Sequence, residues 1–237
     1  MGTRTFRPAL LVSGALAALL VTVAPGCGQE ILDWDAGTDP NPDGGTDGGV
    51  DAGPSPVISE LAGESAASPS DEFVELYNPH PAAISLSGWK LDYRSTGGSV
   101  GRYHEFGAAA SIPAHGFYLV GQNGFGGTPD ERLMRGGSPQ TGLTMSASGG
   151  SIILIAPGDA VADQVGWGSG AAESAPALAA DGDQSIERKA HAASTAESMT
   201  AGADVSAGNG RDSNNNLQDF ILRPTRDPQS SGAAAEP

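Results

Sequence analysis

Asp71-Glu72-Phe73-Val74-Glu75-Leu76-Tyr77-Asn78-Pro79 is the stretch that decides the fold. Side chains alternate along a strand, so Val74 and Leu76 face one way while Phe73, Glu75 and Tyr77 face the other. Asn78-Pro79 closes the run, because proline brings no N–H to a ladder. The pattern is that of a sandwich strand, and it calls for partners on both sides.

Partners lie in both directions along the chain. Upstream, Val57-Ile58-Ser59-Glu60-Leu61 reads as a short strand, and the small polar residues Gly63 to Ser70 as a loop. Downstream, Ile84 to Tyr93 alternates in two registers: Ile84 and Leu86 first, then Trp89, Leu91 and Tyr93. Gly88 stands at the change of face, which predicts a bulge or bend. Arg102 to Phe106 follows as a strand, then a turn over Ile112 to Gly116 leading into Phe117-Tyr118-Leu119-Val120. Residues 121–142 read as a long loop. Ser151 to Ile155 is a continuous apolar run, as in a strand buried on both faces or at a sheet centre. Pro157-Gly158-Asp159 turns the chain into Val161 to Trp167, a hairpin partner. Residues 168–183 are expected as loop, Gln184 to Arg188 as a strand, 190–216 as polar and irregular, and Phe220 to Leu222 as the last strand. The tail, 226–237, is expected to be disordered. Seven to nine short strands with turn signals between them predict an all-β chain, a β-sandwich. No helical periodicity of useful length appears.

Composition agrees. Hydrophobic residues make 38% of the 237, and 35 glycines with 17 prolines suit a loop-rich β domain better than a helical bundle. The formal net charge is -16. Duplex nucleic acid is therefore an unfavourable partner, since its phosphates would be repelled. Cys27 is the single cysteine, so the chain can form no internal disulfide and no thiolate zinc cluster.

The first 26 residues have another use. Arg4 and Arg7 precede an apolar run from Ala9 to Val23, followed by Ala24-Pro25-Gly26-Cys27. A basic region followed by an apolar one makes an export signal, and the run is short of the roughly 20 residues of a membrane span. The segment resembles a bacterial lipoprotein signal, cut before Cys27, which would then carry acyl chains and anchor the protein to a membrane. Ala24 stands where such signals usually carry Leu or Val, and Gly28 after the cysteine implies delivery to the outer membrane. Residues 27–56 then form an acidic tether. Aspartates recur every fourth residue at 35, 39, 43, 47 and 51 among Gly, Pro and Thr, a composition that cannot bury a core. Asp39, Asn41, Asp43 and Asp47 also have the oxygen spacing that opens a calcium loop. Val50 replaces the expected bidentate glutamate, two prolines interrupt the loop, and no helix flanks it. Calcium is thus the one cofactor the sequence raises.

The ordered part, about 57–225, resembles a lamin tail domain, an immunoglobulin-like module found in nuclear lamins and in exported bacterial proteins. Four segments carry the resemblance: Val57 to Leu61 with Asp71 to Pro79, Ile84 to Leu91, Ile112 to Val120, and Val161 to Trp167 with Gln184 to Arg188. Loops 121–142 and 168–183 are longer than a minimal module needs. The resemblance implies a non-catalytic binding or scaffolding module, and the signal implies a place at the cell envelope, toward a protein or a polysaccharide.

Candidate chemistry is sparse. Gly97-Gly98-Ser99-Val100-Gly101 matches G-x-S-x-G but lies in a Gly-Ser turn between strands, whereas a nucleophile elbow needs a strand before and a helix after. His80, His104, His115 and His191 form no close metal-binding pair. His115 is expected to shape the turn before Gly116. Asp212-Ser213-Asn214-Asn215-Asn216 has alternate oxygen ligands without the following glycine, so it reads as a polar turn. Trp89 and Trp167 read as core. Phe73, Glu75 and Tyr77 share one face and could form a binding surface of an acid among aromatics. Lys90 or Arg94 would otherwise pair with Glu75 across strands.

Overall fold

Residue 58 and residue 61 are both large and apolar, an odd spacing that a regular strand would send to opposite faces. In the computed structural model, which describes residues 55–98, 100–134 and 142–237, a β-bulge resolves the conflict. Strand β1 (Val57–Ala62) pairs antiparallel with β2 (Phe73–Tyr77), and the register shifts between Ile58 and Glu60. Ile58 then stands opposite Leu76 and Leu61 opposite Val74, all four within the main core. Glu60 stands opposite Glu75 on the other face.

The remaining strands build two facing sheets. They are β3 (Ile84–Ser85), β4 (Lys90–Ser95), β5 (Val100–Glu105), β6 (Ser111–Ile112), β7 (Phe117–Gln122), β8 (Glu131–Leu133), β9 (Gly149–Ile155), β10 (Val161–Gly168), β11 (Ser185–Arg188) and β12 (Phe220–Arg223). One sheet has six strands in the order β12-β11-β1-β2-β7-β8, the other four in the order β10-β9-β4-β5, and β3 and β6 make a small ribbon. The chain is an all-β sandwich, as its alternation predicts. Between the sheets lie Ile58, Leu76 and Val120 from one side and Leu91, Ile152, Leu154, Val165 and Trp167 from the other. Trp89 and Trp167 are both core residues. Gly88 sits at φ +78° in the turn that separates β3 from β4, the left-handed region a glycine enters without strain.

Among the described residues there are twelve strands where seven to nine are expected, the run Ile84 to Tyr93 being divided between β3 and β4. The structure departs from the sequence reading in three further places. Loop 121–142 contains β8, which pairs in parallel with β7. Its residues Glu131-Arg132-Leu133 carry too little alternation to announce a strand. The stretch 190–216 holds a short helix, α1 (Ala196–Ala201), opened by a capping box in which the Thr195 and Ser198 side chains each accept the other's backbone N–H. A second, α2 (Asn216–Asp219), leads into β12. The tail 226–237, expected to be disordered, is packed onto the outer face of the six-stranded sheet. Among the described residues no helix is long and apolar enough to cross a membrane.

A fully buried ion pair joins the two sheets. The β9–β10 hairpin carries its own bulge between Val161 and Asp163, after which Asp163 stands opposite the core residue Leu154. Its side chain is 0% exposed, as is that of Arg188 from β11, and Arg188 Nη2 lies 2.6 Å from Asp163 Oδ2. The Ile58 amide donates to the same Asp163 oxygen at 2.6 Å, and Arg188 Nε donates to the Ile58 carbonyl at 2.8 Å. The pair thereby satisfies the two backbone groups of Ile58, beyond the end of the β1–β11 register at Glu60. Arg188 also lies over the Phe220 ring, 4.7 Å from its centre. Burial pushes the Asp163 carboxyl up, and the Arg188 guanidinium opposes that push.

Removing one member of a buried pair strands its partner and costs about 3–5 kcal/mol. Arg188→Met and Asp163→Leu should each destabilise the protein by that amount in urea unfolding. The double variant should recover only part of the loss, because Ile58 still lacks partners. Full recovery would show that the backbone bonds of Ile58 contribute nothing.

Candidate functional site

The outer face of the six-stranded sheet carries a row of acids. Glu187 of β11 stands opposite Glu60 of β1, and Glu60 stands opposite Glu75 of β2. All three are buried. Aromatic residues flank the row: Tyr77 packs on Phe117 with ring centres 5.2 Å apart, and Phe73 on Phe125 at 5.4 Å.

Like charges facing each other across strands repel, so each carboxylate must be satisfied locally. The Ser59 hydroxyl, freed by the bulge, donates to Glu75 Oε1 at 2.5 Å. The Ser185 hydroxyl donates to Glu60 Oε1. Glu187 receives Asn209 Nδ2 at 2.9 Å and pairs with Arg223 at 2.5 Å. Two further donors come from the tail: the Gln229 amide to Glu75 and the Asp227 amide to Glu60, the latter a long 3.4 Å contact. Burial, reinforced by Glu187, pushes Glu60 up to about 8. Burial and then Glu60 push Glu75 well above its ordinary value, and burial lifts Glu187 to about 6 against the pull of Arg223.

The tail lies over Glu60 and Glu75 of this row and runs on past Tyr77. Arg226 Nη2 pairs with Asp71 Oδ2 at 2.8 Å, and Arg226 Nη1 donates to the main-chain oxygens of Asp71 and Glu64. The Ser231 amide donates to Asp130 Oδ2 at 2.8 Å. Ala233 packs on the cluster of Val57, Tyr77 and Phe117. The Tyr77 hydroxyl donates to the Glu236 carbonyl, and the Glu236 amide donates to the His115 carbonyl at 2.7 Å. Beside the Asp71–Arg226 pair a cavity of about 380 Å³ opens between the tail and the loop after β7.

Phe73, Glu75 and Tyr77 do share a face, but not an open one. They are 0%, 1% and 3% exposed, because loop and tail lie over them. Lys90 and Arg94 are not partners of Glu75. Both lie on β4, in the other sheet, and Lys90 pairs with Asp159 at 3.1 Å. Sequence reasoning did not see that Glu60 and Glu187 join Glu75. The available signal was a glutamate beside apolar residues in each run, as in Ile58-Ser59-Glu60, Phe73-Val74-Glu75 and Ile186-Glu187.

Other candidates take structural positions. His115 sits at φ +49° in the turn before Gly116. Asp212 to Asn216 forms a polar turn in which Asp219 accepts the Ser213 amide and hydroxyl and the Asn215 amide. Asp163, Glu173 and Asp212 bring one carboxylate oxygen each within 4.8 Å of one another, but Arg188 already pairs with Asp163 and lies 3.5 Å from Asp212. Burial, then Asp163 and Asp212, lift Glu173 to about 7. Cys27, Asp39, Asn41, Asp43, Asp47 and Ser99 lie outside the described residues.

The family model named Lamin Tail Domain matches residues 50–169. The chain belongs to the lamin tail domain family. The match covers β1 to β10, while β11 and β12 complete the six-stranded sheet beyond it. Modules of this family are immunoglobulin-like and generally non-enzymatic. A search of curated proteins found no match. Among solved structures, the chain is similar to a DUF4876 family protein from Bacteroides thetaiotaomicron VPI-5482. The two are 11% identical with a TM-score of 0.47, over 76% of this chain and 72% of that one.

The acid row makes stability depend on pH. A carboxyl whose folded value lies above its ordinary one holds its proton more tightly when folded. Its contribution is complete below the ordinary value of 4.5 and is lost as pH rises through the folded value, about 8 for Glu60. The melting temperature should therefore fall between pH 5 and 8, by on the order of 5 °C. Glu60→Gln, which keeps an oxygen for Ser185, should flatten that slope. An unchanged slope in calorimetric scans would remove Glu60 as its source.

Proposed function

We propose that the protein is an exported lipoprotein, held to a cell-envelope membrane through acylated Cys27. Its lamin tail domain serves as a non-catalytic binding or scaffolding module at the cell surface, toward a protein or a polysaccharide. The observation that carries this reading is the family match to a module of binding and structural roles, in a chain that opens with a lipoprotein-like signal. The acidic segment 27–56 would space the domain from the membrane, its aspartates repelling one another and keeping it extended. Acyl chains bind membranes through their buried methylenes, and two or more are needed for stable anchoring.

Two measurements test the two parts. Cys27→Ser should abolish incorporation of labelled palmitate and move the protein from the membrane to the soluble fraction; continued membrane retention would sink the anchor. The full chain, immobilised and exposed to envelope extract with and without calcium, should retain a saturable partner. Retention only with calcium would transfer the role to Asp39, Asn41, Asp43 and Asp47.

A further inference from the structure

The tail is held in an unusual way. Residues 226–230 lie outside any helix or strand. Alternate backbone amides nevertheless all meet carboxylates: Asp227 meets Glu60, Gln229 meets Glu75, and Ser231 meets Asp130. In an extended chain successive N–H groups point to opposite sides, so residues two apart address one surface. Pro228, which has no N–H, stands at a position between two of these amides, where none is required. Over Asp227 to Gln229 the face therefore reads main chain rather than side-chain identity.

Side chains are read at three positions: Arg226, Ser231, whose hydroxyl donates to Asp130 Oδ1, and Ala233. Arg226 fills a slot made by Asp71, the carbonyl of Glu64 and the Phe73 ring, whose centre lies 6.0 Å from the guanidinium. Ala233, seven residues on, packs on Val57, Tyr77 and Phe117. Beyond it Tyr77 and the carbonyl of His115 hold Glu236.

We propose that this outer face is a peptide groove that residues 226–236 close in cis, and that it takes an extended, arginine-led segment of a partner protein when they lift away. The inference rests on the binding role proposed above and names its site and partner chemistry. Charge complementarity sets the occupant. Asp71, whose carboxyl burial pushes up but the Gly126 amide and Arg226 hold below its ordinary value, faces the leading residue, and Arg223 is already committed to Glu187. A cationic leading residue is thus favoured over an acidic one, and the net charge of -16 steers basic segments toward the protein. Main-chain bonds supply affinity, and the two end slots supply register. The resident tail competes at a high effective concentration because it belongs to the same chain.

The probe is a fluorescent peptide with the sequence of residues 224–237, read by anisotropy against the full chain. Two variants loosen the resident tail and leave the groove intact: Arg226→Ala removes the leading anchor, and Ala233→Glu puts a charge against the aromatic pair. Both should bind the peptide at least about tenfold more tightly than the wild type, which keeps its tail in place. Replacing the peptide's own arginine by alanine, or adding Asp71→Ala to either variant, should weaken binding by about tenfold or more. A peptide keeping only that arginine, the serine five residues on and the alanine seven residues on, with alanines elsewhere between, should bind within about threefold of the parent.

Folding is checked by cooperative melting of each variant. Absence of peptide binding by both folded variants would overturn the groove, as would binding indifferent to Asp71→Ala. Dimers of the wild-type chain that form with concentration and vanish in Arg226→Ala would give the groove to a second copy and overturn the partner form. Capture of an envelope partner by a chain whose variants bind no peptide would overturn the groove while leaving the binding role standing.

Discussion

The buried pair of Asp163 and Arg188 is the constraint on which the sandwich depends. Two strands from different sheets meet there, and at 0% exposure neither charge can be neutralised by water. The pair does more than cancel itself. It accepts one backbone group of Ile58 and donates to the other, which lets β1 carry a bulge in the middle of the six-stranded sheet. The bulge in turn brings Ile58 and Leu61 to the same side and turns Glu60 outward. An electrostatic contact between the sheets thus fixes the phase of a strand, and that phase decides which side chains reach the outer face.

The acid row follows from that phase. With Glu60 turned outward, three carboxylates stand side by side on adjacent strands, an arrangement that would be repulsive in isolation. It persists because hydroxyls, an asparagine amide, an arginine and backbone amides of the tail all donate into it. Burial raises the carboxyls, and neutral forms lessen the repulsion. The tail and the row are therefore mutually dependent: the tail excludes water, and the row supplies acceptors to a segment that has no ladder of its own.

Much of the architecture was legible because alternation is a local property. The runs around Val74, Leu91, Ile152 and Val165 each announce a strand, and each is one. The continuous run Ser151 to Ile155 reads as central, and β9 lies between β10 and β4. What was not legible depends on distant residues. Strand β8 exists because Asp130 and the parallel edge of β7 hold it, not because Glu131-Arg132-Leu133 favours it. The tail is polar and rich in small residues, a composition that predicts disorder on its own. It is ordered by acceptors more than 100 residues away in sequence. For the candidate site the face of Phe73, Glu75 and Tyr77 was read correctly as a shared face. Its cover and its companions Glu60 and Glu187 were not, because cross-strand register depends on a bulge that no local pattern encodes.

The position of β1 has a mechanical consequence. The first described strand enters between β11 and β2, so it is an interior strand and not an edge. Tension applied along the chain from its N-terminal side would load both flanking ladders together, along with the bonds of Ile58 to Asp163 and Arg188. A strand at the margin would instead peel away one bond at a time. Force entering at Val57 is thus shared across the sheet and passed through the ion pair to the opposite one, which suits a domain tugged from that end.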